Sequence, residues 1–216
     1  MMLTDDTHDA AGLRICAAIL AGGRASRYDG CPKGLLRLPG GTTIIENTLG
    51  AVAAAGINEV AIFANEQHRY HDLGPQVVLD RRPGLGPLGG IETALMHFAG
   101  RCGGVLVLPC DLPGLGHSEL RSLLAVFTAR RPRVVVAATR AGFWHPLCAI
   151  VRSDVLPAVS AALDSGNNGV YRLWRAVGAA PVYFRNAHPF FNVNTADDLD
   201  RWLLGEREPR RELKPT

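Results

Sequence analysis

An α/β fold on a mostly parallel sheet is the class this sequence predicts, and two observations carry it. Short apolar runs alternate with longer segments of helical period, and several of the runs are apolar throughout, as strands covered on both faces are. The strands read as ICAAIL (15–20), EVAIFA (59–64), QVVLD (76–80), GVLVLP (104–109), RVVVAAT (133–139) and FWHPLCAIV (143–151). Over 43–55, Ile44, Ile45, Thr48, Leu49 and Val52 fall on one helical face, Thr43 and Glu46 make a capping-box pair at its start, and Gly56 stops it. Further helices are expected over 90–98, 118–129, 153–163, 170–177 and 196–204. In an open sheet of this kind ligands collect beyond the carboxyl ends of the strands, so the loops that follow the strands are where chemistry is sought.

A chain of 216 residues, 47% of them hydrophobic, closes one sizeable core and falls short of two. We expect one domain over 14–205, a flexible leader over 1–13, and a disordered tail over 206–216, where GEREPRRELKPT is charged and broken by proline. The formal charge of +3 comes from 21 arginines and two lysines against 20 acids spread along the chain. No basic block marks a nucleic-acid surface, and a small anionic substrate fits better. Five cysteines without a C-x-x-C pair suggest neither a disulfide framework nor a zinc knuckle, but reduced thiols. The N-terminus is acidic where a signal peptide is basic, and the apolar run 15–21 is too short to span a bilayer, so the expected location is the cytoplasm, away from membranes.

Four loops stand out. The first strand ends in Leu20-Ala21-Gly22-Gly23-Arg24-Ala25-Ser26-Arg27, with Lys33 a few residues on. Adjacent glycines admit a ligand close to the backbone, and the cations suit a triphosphate. Lys33 and the tail residue Lys214 are the only lysines in a chain that otherwise uses arginine, which suggests that position 33 wants a compact ammonium. The bland alternative is a glycine turn with solvated charges. Asp111, in Pro109-Cys110-Asp111-Leu112-Pro113, lies just past a strand end, where a carboxylate can hold Mg2+ together with phosphate oxygens or can simply form a turn. Asn65 and Asp80 sit at the ends of two further strands, as ligand contacts or as turn residues. Near the C-terminus, Thr195 and Asp198 form a capping box, which leaves Asn192 and Asn194 without a structural reason. His145 is a candidate substrate contact or a satisfied core histidine, and Cys110 reads as a small buried hydrophobe.

Gly84-Leu85-Gly86-Pro87-Leu88-Gly89 matches the G-x-G-x-x-G of dinucleotide sites and follows a strand. Pro87 removes a donor where a pyrophosphate would be held, and Arg81-Arg82-Pro83 lengthens the turn, so a nicotinamide enzyme is disfavoured.

Taken in order, seven segments resemble the molybdenum cofactor guanylyltransferases of the nucleotidyltransferase family: Leu20-Ala21-Gly22-Gly23 with Arg27 and Lys33, Ala64-Asn65, Asp80, Gly86 to Ile91, Leu108 to Pro113, His145-Pro146 and Asn192-Val193-Asn194-Thr195. Relatives often have Met-Gly after the arginine and Asp before the lysine, where this chain has Tyr28-Asp29 and Pro32. The resemblance implies a three-layer α/β/α, Rossmann-like fold and transfer of GMP from GTP to the phosphate of molybdenum-molybdopterin, with Mg2+ as cofactor. It places Leu20, Ala21, Gly22, Gly23, Asn65 and Asp80 at the nucleoside, and Lys33 and Arg27 at the triphosphate. Asp111 would bind the metal, and His145, Asn192 and Asn194 the acceptor. Cofactor-insertion proteins or molybdoenzyme apoproteins are the implied onward partners. The alternatives are a relative using CTP or another phosphorylated acceptor, and a non-catalytic binding module. The Leu-Ala-Gly-Gly sequence favours GTP, since cytidylyl relatives usually have Leu-Ala-Ala-Gly.

Overall fold

The computed structural model describes residues 14–22, 32–139 and 142–206. The expected leader, and 207–216 of the expected tail, lie outside the described residues. In chain order the elements are β1 (Ile15–Leu20), α1 (Ile44–Ala54), β2 (Val60–Phe63), β3 (Gln76–Val78), α2 (Pro87–His97), β4 (Gly104–Pro109), α3 (His117–Arg130), β5 (Val134–Thr139), β6 (Trp144–Arg152), α4 (Leu156–Asp164), α5 (Val170–Ala176), β7 (Ala180–Phe184) and α6 (Ala196–Leu203). The strands form one sheet of seven in the order β3-β2-β1-β4-β6-β5-β7. Every pairing is parallel except those of β6, which runs antiparallel to both β4 and β5.

Helices cover both faces, giving the three-layer α/β/α arrangement. Against one face pack Leu88, Ile91 and Leu95 of α2, Val159 and Leu163 of α4, and Leu173 and Trp174 of α5, over Cys16, Ala18, Val105 and Val107. Against the other pack Val52 of α1 and Leu120, Leu123 and Phe127 of α3, over Ala17, Leu106 and Leu108. All six residues of β4 and all six of β5 are buried, which is why those runs, Thr139 apart, are apolar at successive rather than alternate positions. The start of α1 follows the sequence signal: Glu46 N–H donates to Thr43 Oγ1 at 3.3 Å and the Thr43 N–H donates to Glu46 Oε2 at 2.6 Å, satisfying two N-terminal donors reciprocally. Among the described residues no helix is long and apolar enough to cross a membrane.

Three elements differ from expectation. Helix α2 begins at Pro87, not at 90, because proline occupies the first turn, where its missing N–H costs nothing, behind Gly86 with φ 70°. The segment 153–163 divides into a 3-10 turn, Ser153–Val155, and α4, which starts with Pro157 in its first turn. β7 was not anticipated: Ala-Pro-Val-Tyr-Phe is short and carries a proline, and it is a strand only because it pairs with the buried β5 at the sheet edge, where Pro181 is tolerated.

Gly104 opens β4 because nothing larger fits. A Cβ there would stand 2.7 Å from Phe127 Cζ and 3.2 Å from Ile15 Cδ1. Gly104→Ala is therefore expected to lower stability by about 1–3 kcal/mol, the usual range for overpacking a core, and Phe127→Leu in the same chain should recover part of the loss. Denaturant melts of the single and double variants check this.

Candidate active site

The end of β1 is held on both sides. The Ala21 N–H donates to Phe63 O at 2.8 Å, and the Cys110 N–H donates to Leu20 O at 3.2 Å, so the chain leaves the sheet between the ends of β2 and β4. At Gly22 a Cβ would lie 3.3 Å from Asp80 Oδ2 and 3.5 Å from Asn65 Nδ2. Three separate candidates, from the ends of β1, β2 and β3, thus meet at one point. On the other side of Asp80, a Cβ on Gly90 of α2 would stand 3.5 Å from Asp80 Oδ1 and 3.2 Å from Leu20 Cδ2. The two glycines leave the carboxylate room. Asp80 accepts a hydrogen bond from Asn65, while its Oδ1 is buried without a hydrogen-bond partner. Burial, opposed in part by the Asn65 contact, lifts the Asp80 carboxyl above the usual carboxylate value. A buried acceptor between two glycines is suited to receive a ligand's N–H or O–H. Gly23 and Arg27 fall outside the described residues.

Asp80 stays in place through the loop that follows it. Arg82 Nε lies 3.1 Å from Glu92 Oε2 of α2, and Ser160 of α4 donates to Glu92 Oε1 at 2.6 Å. Glu92 is 2% exposed, so these partners are what permit a carboxylate there. The Arg81 N–H donates to Thr93 Oγ1 at 3.0 Å, fastening the same loop one residue nearer Asp80.

The other side of the site is built on the end of β4. Lys33 opens a 3-10 turn, Lys33–Leu35, whose Gly34 lies so close to Cys110 that a Cβ would be 3.1 Å from Cys110 Cβ and 3.3 Å from its carbonyl oxygen. Sequence reasoning passed over Gly34, since only the fold shows what it touches. Burial pushes the Cys110 thiol up to about 12; the Asp111 charge adds to this and Lys33 opposes it, so an anion and a cation both lie near the sulfur. The Lys33 ammonium hydrogen-bonds to Asn194 Oδ1. The 192–194 segment is itself tied to β4, the Val193 N–H donating to Asp111 O at 2.9 Å. Thr195 caps α6 as expected, accepting from the Asp198 N–H at 3.1 Å, but the Asp198 carboxylate returns to the Asn194 N–H at 3.0 Å rather than to Thr195. Asp198 therefore fixes the residue that meets Lys33.

His145 lies on β6. Ala149 of β6 pairs with Val107 of β4 and with Val136 of β5, and past a register shift at that point His145 pairs with Ala137, one residue nearer the carboxyl edge. Its ring stacks on Phe190 at 4.7 Å between centroids, 21° between planes. Burial lowers its pKa to about 4, and Nε2 is buried without a hydrogen-bond partner. The ring is packed as a core histidine's would be, but one nitrogen is left without a protein partner.

The carboxyl edge of the sheet thus gathers Gly22, Asn65 and Asp80 at one point, and a charged centre at Lys33, Asp111 and Asn194. No group of three or more His, Cys, Asp or Glu that could hold a metal occurs among the described residues. Any ion here would rest on one carboxylate, amide oxygens and ligand oxygens, as magnesium accepts.

This is the layout of a nucleotidyltransferase. The model of the MobA-like NTP transferase domain matches residues 17–182, and the chain belongs to that family. It is 33% identical over 193 residues to a molybdenum cofactor guanylyltransferase of Shewanella sp. (strain MR-4), covering 88% of this chain and 95% of the relative. Among solved structures it is similar to molybdopterin-guanine dinucleotide biosynthesis protein A from Archaeoglobus fulgidus, with a TM-score of 0.69 at 21% identity over 86% of this chain and 95% of that one. It is also similar to Rv0371c of Mycobacterium tuberculosis in complex with manganese, with a TM-score of 0.67 at 21% identity over 88% and 98% of the two chains. At those identities the two structures speak for the fold alone.

The neutral His145 makes a testable link to acid stability. A depressed folded pKa gives stability that is complete above the unfolded value of 6.5 and is lost as pH falls towards the folded value of about 4. His145→Phe keeps a ring against Phe190 and removes the titration, so between those two values its melting temperature should fall less with acidification than the parent's. Parallel slopes in thermal melts across that window would assign the acid loss to other groups.

Proposed function

We propose that the chain transfers GMP from GTP to the terminal phosphate of molybdenum-molybdopterin. The observation that carries this reading is the Lys33–Asn194 contact beside Asp111, which joins the loop region after the nucleoside niche to the segment assigned to the acceptor. In the reaction a phosphate oxygen of the acceptor attacks the α-phosphorus of GTP. A new P–O–P bond forms, the bond from Pα to the bridging oxygen breaks, and pyrophosphate leaves with that oxygen and its electron pair. The nucleophile is already an anion, so no general base is required, and the work of the protein is to position two repelling anions and balance their charge.

Asp80 Oδ1 and Asn65 receive the nucleoside, with Gly22 leaving room for it; the Leu20 and Ala21 backbone borders it. Lys33 lies against the triphosphate, with Arg27 as a second cation. Asn192, Asn194 and His145 face the acceptor. The His145 imidazole is neutral at physiological pH, so its Nε2 offers a single fixed donor or acceptor rather than a charge. Asp111 would hold Mg2+. The neighbouring Cys110 thiol is kept protonated, which leaves oxygen donors, the set a hard cation prefers. When bound, magnesium would neutralise phosphate charge as the bond to pyrophosphate breaks. Support for a divalent ion comes also from the similar fold described in complex with manganese.

The test is release of pyrophosphate from GTP, magnesium and molybdopterin, with CTP and ATP in parallel. GTP with magnesium should raise the melting temperature more than CTP or ATP does, since only a ligand of the native state adds stability. A larger shift with CTP would replace guanine by cytosine while leaving the reaction class. Asp111→Asn is expected to fold and to lose at least about a hundredfold in turnover, the scale of one strong transition-state contact. Lys33→Arg keeps the charge but cannot place a planar fork where the ammonium meets Asn194, and misplacement near a reacting centre costs about a hundredfold. Turnover at the parent's rate in folded Lys33→Arg would show that charge alone suffices at position 33.

A further inference from the structure

At the amino edge of the sheet, away from the candidate active site, two thiols meet. Cys16 is the second residue of β1 and is wholly buried. Cys102 lies in the turn that brings the chain from α2 down to β4; it is half-buried and packs against the core cluster that contains Cys16. The two side chains are hydrogen-bonded to one another. Backbone contacts hold both segments in place. The Gly103 N–H donates to Arg14 O at 2.9 Å, Ile15 pairs with Gly104, and Ser153 Oγ donates to Cys102 O at 3.0 Å.

The thiols are not equivalent. Cys102 donates its own proton to Phe98 O at 3.9 Å, which leaves its sulfur to accept from Cys16. That accepted bond holds the Cys102 thiol below its ordinary pKa although burial opposes it. The same bond, with burial added, raises Cys16. Cys102 is therefore both the more accessible of the two and the better nucleophile, and Cys16 stands next to it in the place of a resolving thiol. Cys110 and Cys148 differ from Cys102, for burial pushes each of their thiols up to about 12. A buried cysteine by itself is a small hydrophobe, which accounts for Cys16 alone. It does not account for a second thiol, partly open to solvent, in hydrogen-bond contact with the first.

We propose that Cys16 and Cys102 are a redox-active pair that a peroxide closes into a reversible disulfide, stapling β1 to the turn before β4. The Cys102 thiolate attacks one peroxide oxygen, the O–O bond breaks, and a sulfenic acid forms while the other oxygen leaves as water with the thiol's proton. The Cys16 sulfur then attacks the Cys102 sulfur; the S–O bond breaks, and a second water leaves with the proton of Cys16. The two thiols lose two electrons and two protons, and one peroxide is reduced to two waters. A dithiol reductant reverses the bond by exchange. The staple joins the two strands whose far ends carry Gly22 and Asp111. Cys16 lies five residues before Ala21, about 17 Å along the strand, so the link tightens the central pair of the sheet without reaching the site. None of this depends on which nucleotide the site takes.

The test is treatment of the full-length protein with hydrogen peroxide, followed by dithiothreitol. The expected product has lost two hydrogens in intact mass, yields a peptide linking Cys16 to Cys102, and returns to the starting mass on reduction. Its melting temperature should exceed that of the reduced protein by at least about 4 °C, the scale of one disulfide that closes a long loop. The further gain from GTP with magnesium should be the same in both forms. Cys16→Ser removes the resolving thiol, so peroxide should then leave a sulfenic acid at Cys102 that dimedone labels, which the parent does not show. Cys102→Ser should form no link at Cys16. Free thiols at both positions after peroxide, or a sulfinic acid at Cys102 in the parent, would overturn the pair, and a linked protein that melts no higher than the reduced one would overturn the staple.

Discussion

The carboxyl end of β4 is the point on which the site depends. All six residues of the strand are buried, so its position is fixed by packing from both faces before any loop is considered. Three segments distant in sequence then attach to the residues that follow it. Cys110 donates from its backbone to Leu20, Asp111 accepts from Val193, and Pro113 accepts from the Asn47 side chain at 2.9 Å. A fourth, the turn at Lys33, rests on Cys110 through a glycine that leaves no space for a side chain. Remove the register of β4 and the ammonium, the carboxylate and the asparagine have no common reference.

Charge is handled differently in the two halves of the edge. Around Gly22 a carboxylate, that of Asp80, is buried with one oxygen satisfied by Asn65 and the other left over, an arrangement that costs stability in the free protein. The fold bears that cost because the adjoining loop is pinned by the Arg82–Glu92–Ser160 network and by Thr93. At the charged centre the reverse holds: Lys33, Asn194 and Asp198 form a connected chain of contacts that positions a cation before any anion arrives. Such preorganisation is what electrostatic catalysis of phosphoryl-type transfer requires, since the protein need not rearrange as charge develops. The neutral thiol between them keeps the local donor chemistry to oxygen and nitrogen.

Much of this was legible in the chain. Apolar runs announced β1, β4 and β5, because a strand buried on both faces has little place for a polar residue, and the Thr43–Glu46 pair marked the start of α1 because capping is a local bond. Gly22, Asn65, Asp80 and Asp111 could be singled out because each follows a strand. β7 could not be read, since five residues with a proline become a strand only when a buried neighbour offers its hydrogen bonds. Neither could the reversal of β6, because an apolar run looks the same in either direction; yet that reversal puts His145 and Trp144 at the working edge.

The sequence by itself determined which residues could do chemistry, for composition and position after a strand are local properties. The tertiary structure decided which of them act together. Lys33 and Asn194 are 161 residues apart and meet only because two loops converge on one strand end. Gly34 matters for what lies against it, His145 for the partner its nitrogen lacks, and Asp198 for the residue it reaches back to. None of these is a property of a segment. Each depends on contacts between groups that the chain brings together only after paying the entropy of closing long loops, and no local pattern encodes the outcome of that closure.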